Sequence, residues 1–325
     1  MRKLAFISIL LICSATLAGQ QLPLYSQYLY NKFLINPAVA GSDGYTSFNV
    51  TAREQWIGYS GAPRTFSFSG QGRVLKRGYV LKSRNSDRNS YRPRSDGKIG
   101  FGGYVFSDRN GLIQRTGFQA AYSYHMWVKN NTQLSMGIAF TGYHFKINEE
   151  EIRFEDPDEP WMSNELRRGV FVPDADFGIY LLNPKYSFGF STEQLFGAAV
   201  KIGNEAYRNF RMDRHYYFFG TYCFEAGNKT ELQPSALLMV SEQMKPMADI
   251  GFTYTFDRKF WAGLSYRTSK AIIANFGVTY TNLHFGYAFD FTLQEIQRVT
   301  YGTHELTIAI KFGDSDRKYR WLDRY

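Results

Sequence analysis

The sequence predicts an all-β protein, a transmembrane outer-membrane β-barrel with about 14 antiparallel strands. Three observations favour it: an export signal at the start, many short segments with alternating apolar and polar residues, and an unusual composition. Aromatic residues make up 18% of the chain, yet its mean hydropathy is only −0.35. A membrane barrel turns alternate residues to lipid and to water and carries aromatic girdles at both interfaces. A large secreted β-domain is the alternative, and the strand pattern has to decide between the two.

The first 18 residues have the composition of a secretion signal. Arg2 and Lys3 give a positive start, residues 4–12 form an apolar core, and Thr16 and Ala18 place small residues before the cleavage point. Cleavage leaves 325 − 18 = 307 residues and lowers the formal charge from +9 to +7, because two basic residues are removed. No later segment offers the run of apolar residues that a membrane helix needs.

The alternation separates charge from lipid. In the run 45–56, Phe48 and Val50 alternate with polar residues, and Arg53 falls on the polar face. The run 65–74 repeats this pattern. An arginine on the lipid face at mid-membrane would cost roughly 2–4 kcal/mol, so these faces are correctly sorted for a bilayer.

Fourteen such runs can be counted, each about ten residues long, the length that a tilted strand needs to cross a bilayer. Half of them alternate cleanly and half less cleanly. An even number of strands is typical of closed membrane barrels. The runs are 45–56, 65–74, 99–106, 116–126, 133–141, 175–182, 186–195, 214–224, 230–240, 248–256, 260–267, 271–280, 283–291 and 305–312.

The domain organisation predicted from these runs has four parts: a signal peptide at 1–18, an N-terminal periplasmic or plug segment at 19–43, the barrel at 44–312 and a periplasmic tail at 313–325. The N-terminal segment is apolar and aromatic without strand alternation. We expect a short helix there, with Ser26 near its N-cap and an end at Asn36 and Pro37. This segment should lie in or under the periplasmic mouth of the barrel.

The lengths of the connections predict the orientation. With an inward N-terminus, the periplasmic connections are tight and the outer ones, such as 107–113, are generally longer, as in bacterial barrels. The exception is the periplasmic loop 75–98, which holds eight basic and two acidic residues. It is a candidate docking surface for a periplasmic partner, and a disordered, solvated loop is the alternative. The candidate docking residues are Arg84, Arg88, Arg92 and Arg94.

No strong catalytic, nucleotide-binding or metal-binding motif occurs in the sequence, so no catalytic, cofactor or metal residue is assigned. Ser123 and His125 share a strand face and are the weak candidates for a membrane-barrel lipid enzyme.

The acidic loop 146–174 lacks EF-hand spacing and is interpreted as a solvated outer loop. Cys223, the one cysteine after the signal, is interpreted as a small apolar filler. Carboxylates on the polar faces would tune a pore or pair with Arg53, Arg73 or Lys311; they are Asp249, Asp290 and Glu305.

Two N-terminal blocks carry a family resemblance. They are YSQYLYNKFLINPAVAGSDGY at 25–45 and REQWIGYSGAPRTFSFSG at 53–70. Both are similar to the opening of the PorP/SprF family of type IX secretion system outer-membrane proteins of the Bacteroidetes. Later segments agree, among them GFSTEQLFG at 189–197 and WAGLSYR at 261–267. The motif positions that the resemblance singles out are Asn36, Pro37, Gly41, Arg53, Gln55, Trp56, Gly58, Gly61 and Pro63.

The resemblance implies a barrel in contact with outer-membrane lipid that works with periplasmic ring and motor proteins. It implies a role in delivering secreted cargo, including gliding adhesins, to the cell surface. It implies no enzyme activity and no cofactor, and the basic charge has no nucleic-acid-binding motif beside it. A porin or substrate-specific diffusion channel is the second interpretation.

Overall fold

The computed structural model describes residues 25–74, 98–128, 132–147, 169–197, 199–200, 210–227, 229–242 and 246–312. The predicted signal, the tail 313–325 and most of the acidic loop 146–174 lie outside these residues. So do the candidate docking residues Arg84, Arg88, Arg92 and Arg94. The described part of the chain contains no helix long and apolar enough to cross a membrane.

Fourteen antiparallel strands build the barrel, as predicted. The first seven are β1 Thr46–Glu54, β2 Arg64–Val74, β3 Ile99–Asn110, β4 Ile113–Trp127, β5 Gln133–Ile147, β6 Val170–Leu182 and β7 Tyr186–Glu193. A hairpin of two short strands follows, β8 Ala199–Val200 and β9 Phe210–Arg211. The remaining barrel strands are β10 His215–Tyr222, β12 Thr230–Ser241, β13 Met247–Phe256, β14 Phe260–Arg267, β15 Ala271–Tyr280, β16 Leu283–Thr292 and β17 Thr303–Phe312, with β11 Phe224–Glu225 added alongside β12.

The barrel is closed. Each strand pairs with its neighbours in chain order, β10 pairs with both β7 and β12, and β17 returns to pair with β1 from Thr46↔Phe312 to Glu54↔His304. Closure leaves no sheet edge, so the backbone polar groups of the strands find partners within the sheet, as a bilayer requires.

Apolar side chains point outward and polar side chains point into the barrel, which is the reverse of a soluble core. In β1, Phe48 and Val50 are exposed, whereas Asn49, Thr51 and Arg53 are buried inside. The same holds in β2 and β4. The faces predicted from the alternation are confirmed, and the outward band is the surface that lipid covers.

The two ends of the barrel differ. At the end where β1 begins and β17 stops, which we call the turn end, several connections have two or three residues: 183–185, 257–259 and 281–282. At the opposite end, which we call the loop end, the connections 148–169, 194–214 and 293–302 are longer.

The prediction of an outer loop at 107–113 was wrong. β3 and β4 continue through it to a two-residue turn between Asn110 and Ile113. Asp108 and Arg115 are cross-strand partners there, and their side chains form a buried ion pair of 2.6 Å. These two charges face the lumen, so the polar sequence that suggested a loop belongs to paired strands.

Residues 25–43 lie inside the barrel, and we call them the plug. The plug joins β1 through Gly44 at the turn end and reaches the loop-end half at Ser26, so it extends deeper than the mouth position predicted for it. It contains two single-turn 3-10 helices, Lys32–Leu34 and Pro37–Val39.

The predicted helix ending at Asn36 and Pro37 was wrong. Pro37 begins the second turn, and Asn36 is its N-cap, with Oδ1 accepting a hydrogen bond from the Ala38 N–H at 2.9 Å. The backbone near Ser26 bonds to the barrel wall instead of to a helix of its own, because Glu305 accepts the Ser26 N–H at 2.7 Å.

Candidate functional site: the plugged lumen

An apolar cluster joins the plug to one side of the lumen. Phe33, Ile35, Ala38 and Ala40 from the plug are buried against inward side chains of several strands, from β4 to β13. The wall members include Ala121, Ala139, Tyr180, Leu182, Tyr217, Phe219, Leu237 and Met239. The lumen is therefore a packed core on this side, and burial of these groups holds the plug in place.

Glycines form the wall where the plug backbone comes closest. Gly137 and Gly178 are cross-strand partners on β5 and β6, and the turn Pro37–Ala38 lies directly on them. A Cβ at Gly137 would stand 2.5 Å from the Ala38 Cα, and a Cβ at Gly178 would overlap the Asn36 side chain. The absence of side chains at these two positions makes room for the plug.

Directed hydrogen bonds fix the register of the plug. The Asn36 side chain donates to the Ile179 and Phe190 carbonyls at 3.0 and 3.1 Å, and the Ser191 hydroxyl donates to the Ile35 carbonyl at 2.5 Å. The family-motif residue Asn36 thus bonds to two neighbouring strands and caps a turn of the plug.

Ser123 and His125, the weak enzyme candidates, also hold the plug. Both contact the Ala40 carbonyl, at 2.6 and 3.0 Å, and His125 Nδ1 lies 2.7 Å from the Ser135 hydroxyl. Ser123 and His125 are fully buried. Their contacts with the Ala40 carbonyl show that these two side chains bind the plug backbone.

A buried ion network anchors the deep end of the plug. Arg53 bridges Asp290 at 2.8 Å and Glu305 at 2.9 Å, and it donates to the Ser26 hydroxyl at 2.7 Å. Glu305 accepts the backbone N–H groups of Ser26 and Gln27 at 2.7 and 2.8 Å. Charge-assisted bonds between buried groups are strong and directional, so the family-motif arginine joins the plug to three strands.

The ion pairs predicted from the sequence for the lumen carboxylates are only partly correct. Arg53 is a partner of Asp290 and Glu305, as predicted, but Asp249 pairs with Arg267, with bonds of 2.8 Å from Nε and Nη2. Arg267 ends a run whose alternation was less clean, and it also lies 3.6 Å from Asp290. The other predicted partners lie near the turn end, where Arg73 donates to the Gln133 side chain at 2.6 Å and Lys311 lies 4.0 Å from Asp43.

The loop-end half of the lumen carries more acid than base. Asp176 accepts bonds from Gln119 and Thr141, each at 2.6 Å, and Glu193 and Asp174 line the same small cavity. Within the described residues, no group of three or more His, Cys, Asp or Glu side chains is arranged to hold a metal ion.

The remaining motif positions build a braced loop at the loop end, residues 55–63. Within it, the Gln55 N–H donates to the Pro63 carbonyl. Its neighbours hold it on both sides: Ile57 exchanges backbone bonds with Tyr301 and Gly302, and the Gly61 carbonyl accepts the Gly111 N–H.

Backbone conformation explains three further motif positions. Gly41, Gly58 and Gly61 have φ values of +67°, +96° and +72°, in the region that glycine tolerates best. Close approach adds to this at Gly41, where a Cβ would stand 2.7 Å from the Gly72 carbonyl oxygen. Trp56 also has a positive φ, +48°, and its backbone N–H donates to the Thr303 hydroxyl.

Lys32 is a buried base within the plug. Burial, together with the smaller effect of the positive charge of Lys311, lowers the pKa of Lys32 from 10.5 to about 7. Its Nζ lies 6.0 Å from the centre of the Tyr180 ring. The unfolded chain holds this proton between about pH 7 and pH 10 while the folded chain releases it, so stability should rise with pH across that window.

We expect Lys32→Met to raise the melting temperature most near about pH 6, where the wild type must bury the full charge, and to raise it little near about pH 10. Melting in detergent, followed by intrinsic fluorescence at both pH values, tests this. A gain in melting temperature that is equal at both values would contradict the assignment of the buried charge.

A cavity of about 330 Å³ opens beside the plug toward the turn end, and we call it the mouth cavity. Its lining includes Gln27 and Tyr30 from the plug, and Arg258, Asn282 and Lys311 from the barrel. Tyr30 stacks on Trp261 with ring centres 3.8 Å apart, which fixes one side of the cavity.

The chain matches one protein family and is distantly similar to several solved structures. Residues 17–310 match a family model described as "Type IX secretion system membrane protein PorP/SprF". The CymD monoaromatic hydrocarbon channel is 11% identical, with 90% of this chain and 93% of that chain covered and a TM-score of 0.47. Omp33 of Acinetobacter baumannii is 8% identical, with 83% of this chain and 100% of that chain covered and a TM-score of 0.44. The toluene transporter TodX of P. putida is 8% identical, with 86% of this chain and 93% of that chain covered and a TM-score of 0.43. No curated protein sequence matches the chain.

Proposed function

Because the chain belongs to the PorP/SprF family of type IX secretion system membrane proteins, we propose that it is a non-enzymatic outer-membrane component of that system. In this role it docks on periplasmic ring and motor proteins and helps deliver cargo, including gliding adhesins, to the cell surface. The family match over residues 17–310 is the observation that carries the proposal. The turn end then faces the periplasm, since short turns on that side are the rule for bacterial barrels.

The plug supports a role in assembly over one in free diffusion. Solute passage through a porin needs an open aqueous lumen, whereas here the plug is packed and hydrogen-bonded along the lumen. A diffusion channel is therefore the less favoured function. The braced loop 55–63, with Tyr59 exposed, is the surface that we assign to cargo or a surface partner.

Secretion and association in cells test the proposal. We expect a knockout to lose a surface adhesin and the complemented strain to regain it. The tagged protein should co-purify with ring proteins from outer membranes. Deleting residues 79–95, which lie outside the described residues, tests the basic loop: unchanged secretion and unchanged co-purification would remove its docking role. Intact secretion in the knockout would overturn the proposed function as a whole.

Removing the plug should open the barrel. We expect a variant lacking residues 25–40 to conduct ions in planar bilayers, because fourteen strands enclose a wide lumen once the plug is absent. The wild type should show little steady conductance under the same conditions. Equal conductance of the two proteins would show that the plug does not close the lumen and would favour the channel interpretation.

A further inference from the structure

The mouth cavity has the lining of a peptide-binding site. Side-chain amides of Gln27, Asn49, Gln233 and Asn282 line it, and an amide offers both a donor and an acceptor, as recognition of a peptide backbone requires. Tyr30 adds partly exposed aromatic surface. The volume of about 330 Å³ is at the lower end of the range found for ligand pockets.

One lining group has an unused acceptor. The Gln27 side chain is 3% exposed, and its Nε2 donates to the Glu305 backbone carbonyl at 3.1 Å. Its Oε1 is buried and accepts no hydrogen bond from any of the described residues. Buried polar atoms are normally paired. The oxygen lies against Gly286, and a peptide N–H in the cavity would pair with it once the Gln27 side chain turns toward the cavity.

Charge is sorted along the barrel axis. Among the described residues, the barrel strands place seven carboxylates and three arginines in the loop-end half of the lumen: Asp108, Asp174, Asp176, Glu193, Asp249, Asp290 and Glu305 against Arg53, Arg115 and Arg267. Described residues at the turn end have eight basic against four acidic side chains: Lys32, Arg73, Lys98, Lys185, Lys229, Arg258, Lys259 and Lys311 against Asp43, Glu225, Glu231 and Asp257. An acidic ligand is thus attracted to the turn end and repelled from the deeper lumen.

We propose that the mouth cavity binds an extended acidic peptide segment of a separate protein, with a carboxylate paired to Lys311 or Arg258. The charged lining consists of these two basic residues and one acidic residue, Glu231. Arg258 lies 3.5 Å from Glu231, and Lys311 lies 4.0 Å from Asp43. The inward position of the lining places it away from lipid headgroups. The inference rests on the proposed periplasmic docking role and names the chemistry of one docking segment.

Peptide binding to the purified full-length protein in detergent is the test. The probes are a fluorescein-labelled hexapeptide with two glutamates and its glutamine analogue, followed by fluorescence anisotropy at low salt. We expect the glutamate peptide to bind about tenfold tighter or more, since a charge-assisted bond is about twice as strong as a neutral one. Lys311→Gln combined with Arg258→Gln should abolish this preference, and Arg298→Gln, an exposed loop-end control, should keep it.

Three outcomes would overturn the proposal. Equal binding of both peptides would exclude acidic recognition, and preferential binding of chitotriose would identify a sugar site. Binding only after removal of residues 314–325 would make the chain's own tail the occupant. A secretion assay distinguishes this inference from the proposed function. If the double variant no longer binds the glutamate peptide but cells that carry it secrete normally, the peptide site is supported and its role in docking is excluded. If the knockout loses secretion but the purified protein shows no preference for the glutamate peptide, the proposed function is supported and the peptide site is rejected.

Discussion

Arg53→Met will destabilise the plugged barrel by about 3–5 kcal/mol, because Asp290 and Glu305 keep their buried charges and lose Arg53, which leaves Asp290 with the more distant Arg267 at 3.6 Å. Methionine retains much of the hydrocarbon volume of arginine, so packing changes little. Loss of the Arg53 bond to the Ser26 hydroxyl will also loosen the deep end of the plug. The expected result is a lower melting temperature in detergent together with trypsin cleavage after Lys32, whose side chain is buried in the wild type.

Arg64→Met is the matched control, one strand away. Arg64 lies 3.5 Å from Glu54, but its side chain is 62% exposed, and exposed pairs contribute about 0–1 kcal/mol. Its melting temperature should therefore remain close to that of the wild type. Equal effects of the two substitutions would mean that the ion network does not hold the plug.

Gly137→Ala will displace the plug while leaving the charge network unchanged. The added methyl group meets the backbone of Pro37 and Ala38, at 2.5 Å from the Ala38 Cα, and a backbone that is bonded on both sides cannot move aside easily. Overpacking of this kind costs about 1–3 kcal/mol. We expect cleavage after Lys32 and measurable ion conductance, with the barrel itself still folded.

Gly70→Ala is the control, because Gly70 lies on the outward face. Its Cβ would stand 3.0 Å from the Phe48 ring, which can rotate in the lipid-facing layer. Neither conductance nor protease sensitivity should change. A closed, protease-resistant Gly137→Ala protein would contradict the close seating of the plug on the glycine wall.

The strand faces could be read from the sequence because lipid and lumen impose opposite polarity on alternate residues. The alternation is clearest in β1, where Phe48 and Asn49 lie on opposite faces of one strand. It is lost where the plug covers the inner face of the barrel wall. Tyr180, Phe219 and Leu237 point inward and are apolar because they pack on the plug. Both faces of their strands are then apolar, which is why the runs 175–182, 214–224 and 230–240 alternated less cleanly.

The contacts of the plug could not be derived from sequence alone. Nothing local in Asn36 indicates that its amide will bond to carbonyls of β6 and β7, some 140 and more residues away. Glycines inside strands are one sequence signal of such contacts: Gly137 and Gly178 lie under the plug, and so do Gly100 and Gly102. Other glycines, such as Gly70, interrupt strands without facing the plug, so the signal alone does not identify the contact. The cross-strand pairing of Gly137 with Gly178 becomes visible only in the register of β5 and β6.

The path of the plug also bears on biogenesis. Arg53 in the first barrel strand and Glu305 in the last one both hydrogen-bond to the same plug residue, Ser26, which lies deep in the lumen. A chain that zipped β1 to β17 first would have to thread this segment into a sealed cylinder afterwards. The N-terminal segment should therefore fold in before the final seam closes, acting as a template around which the two ends of the sheet meet.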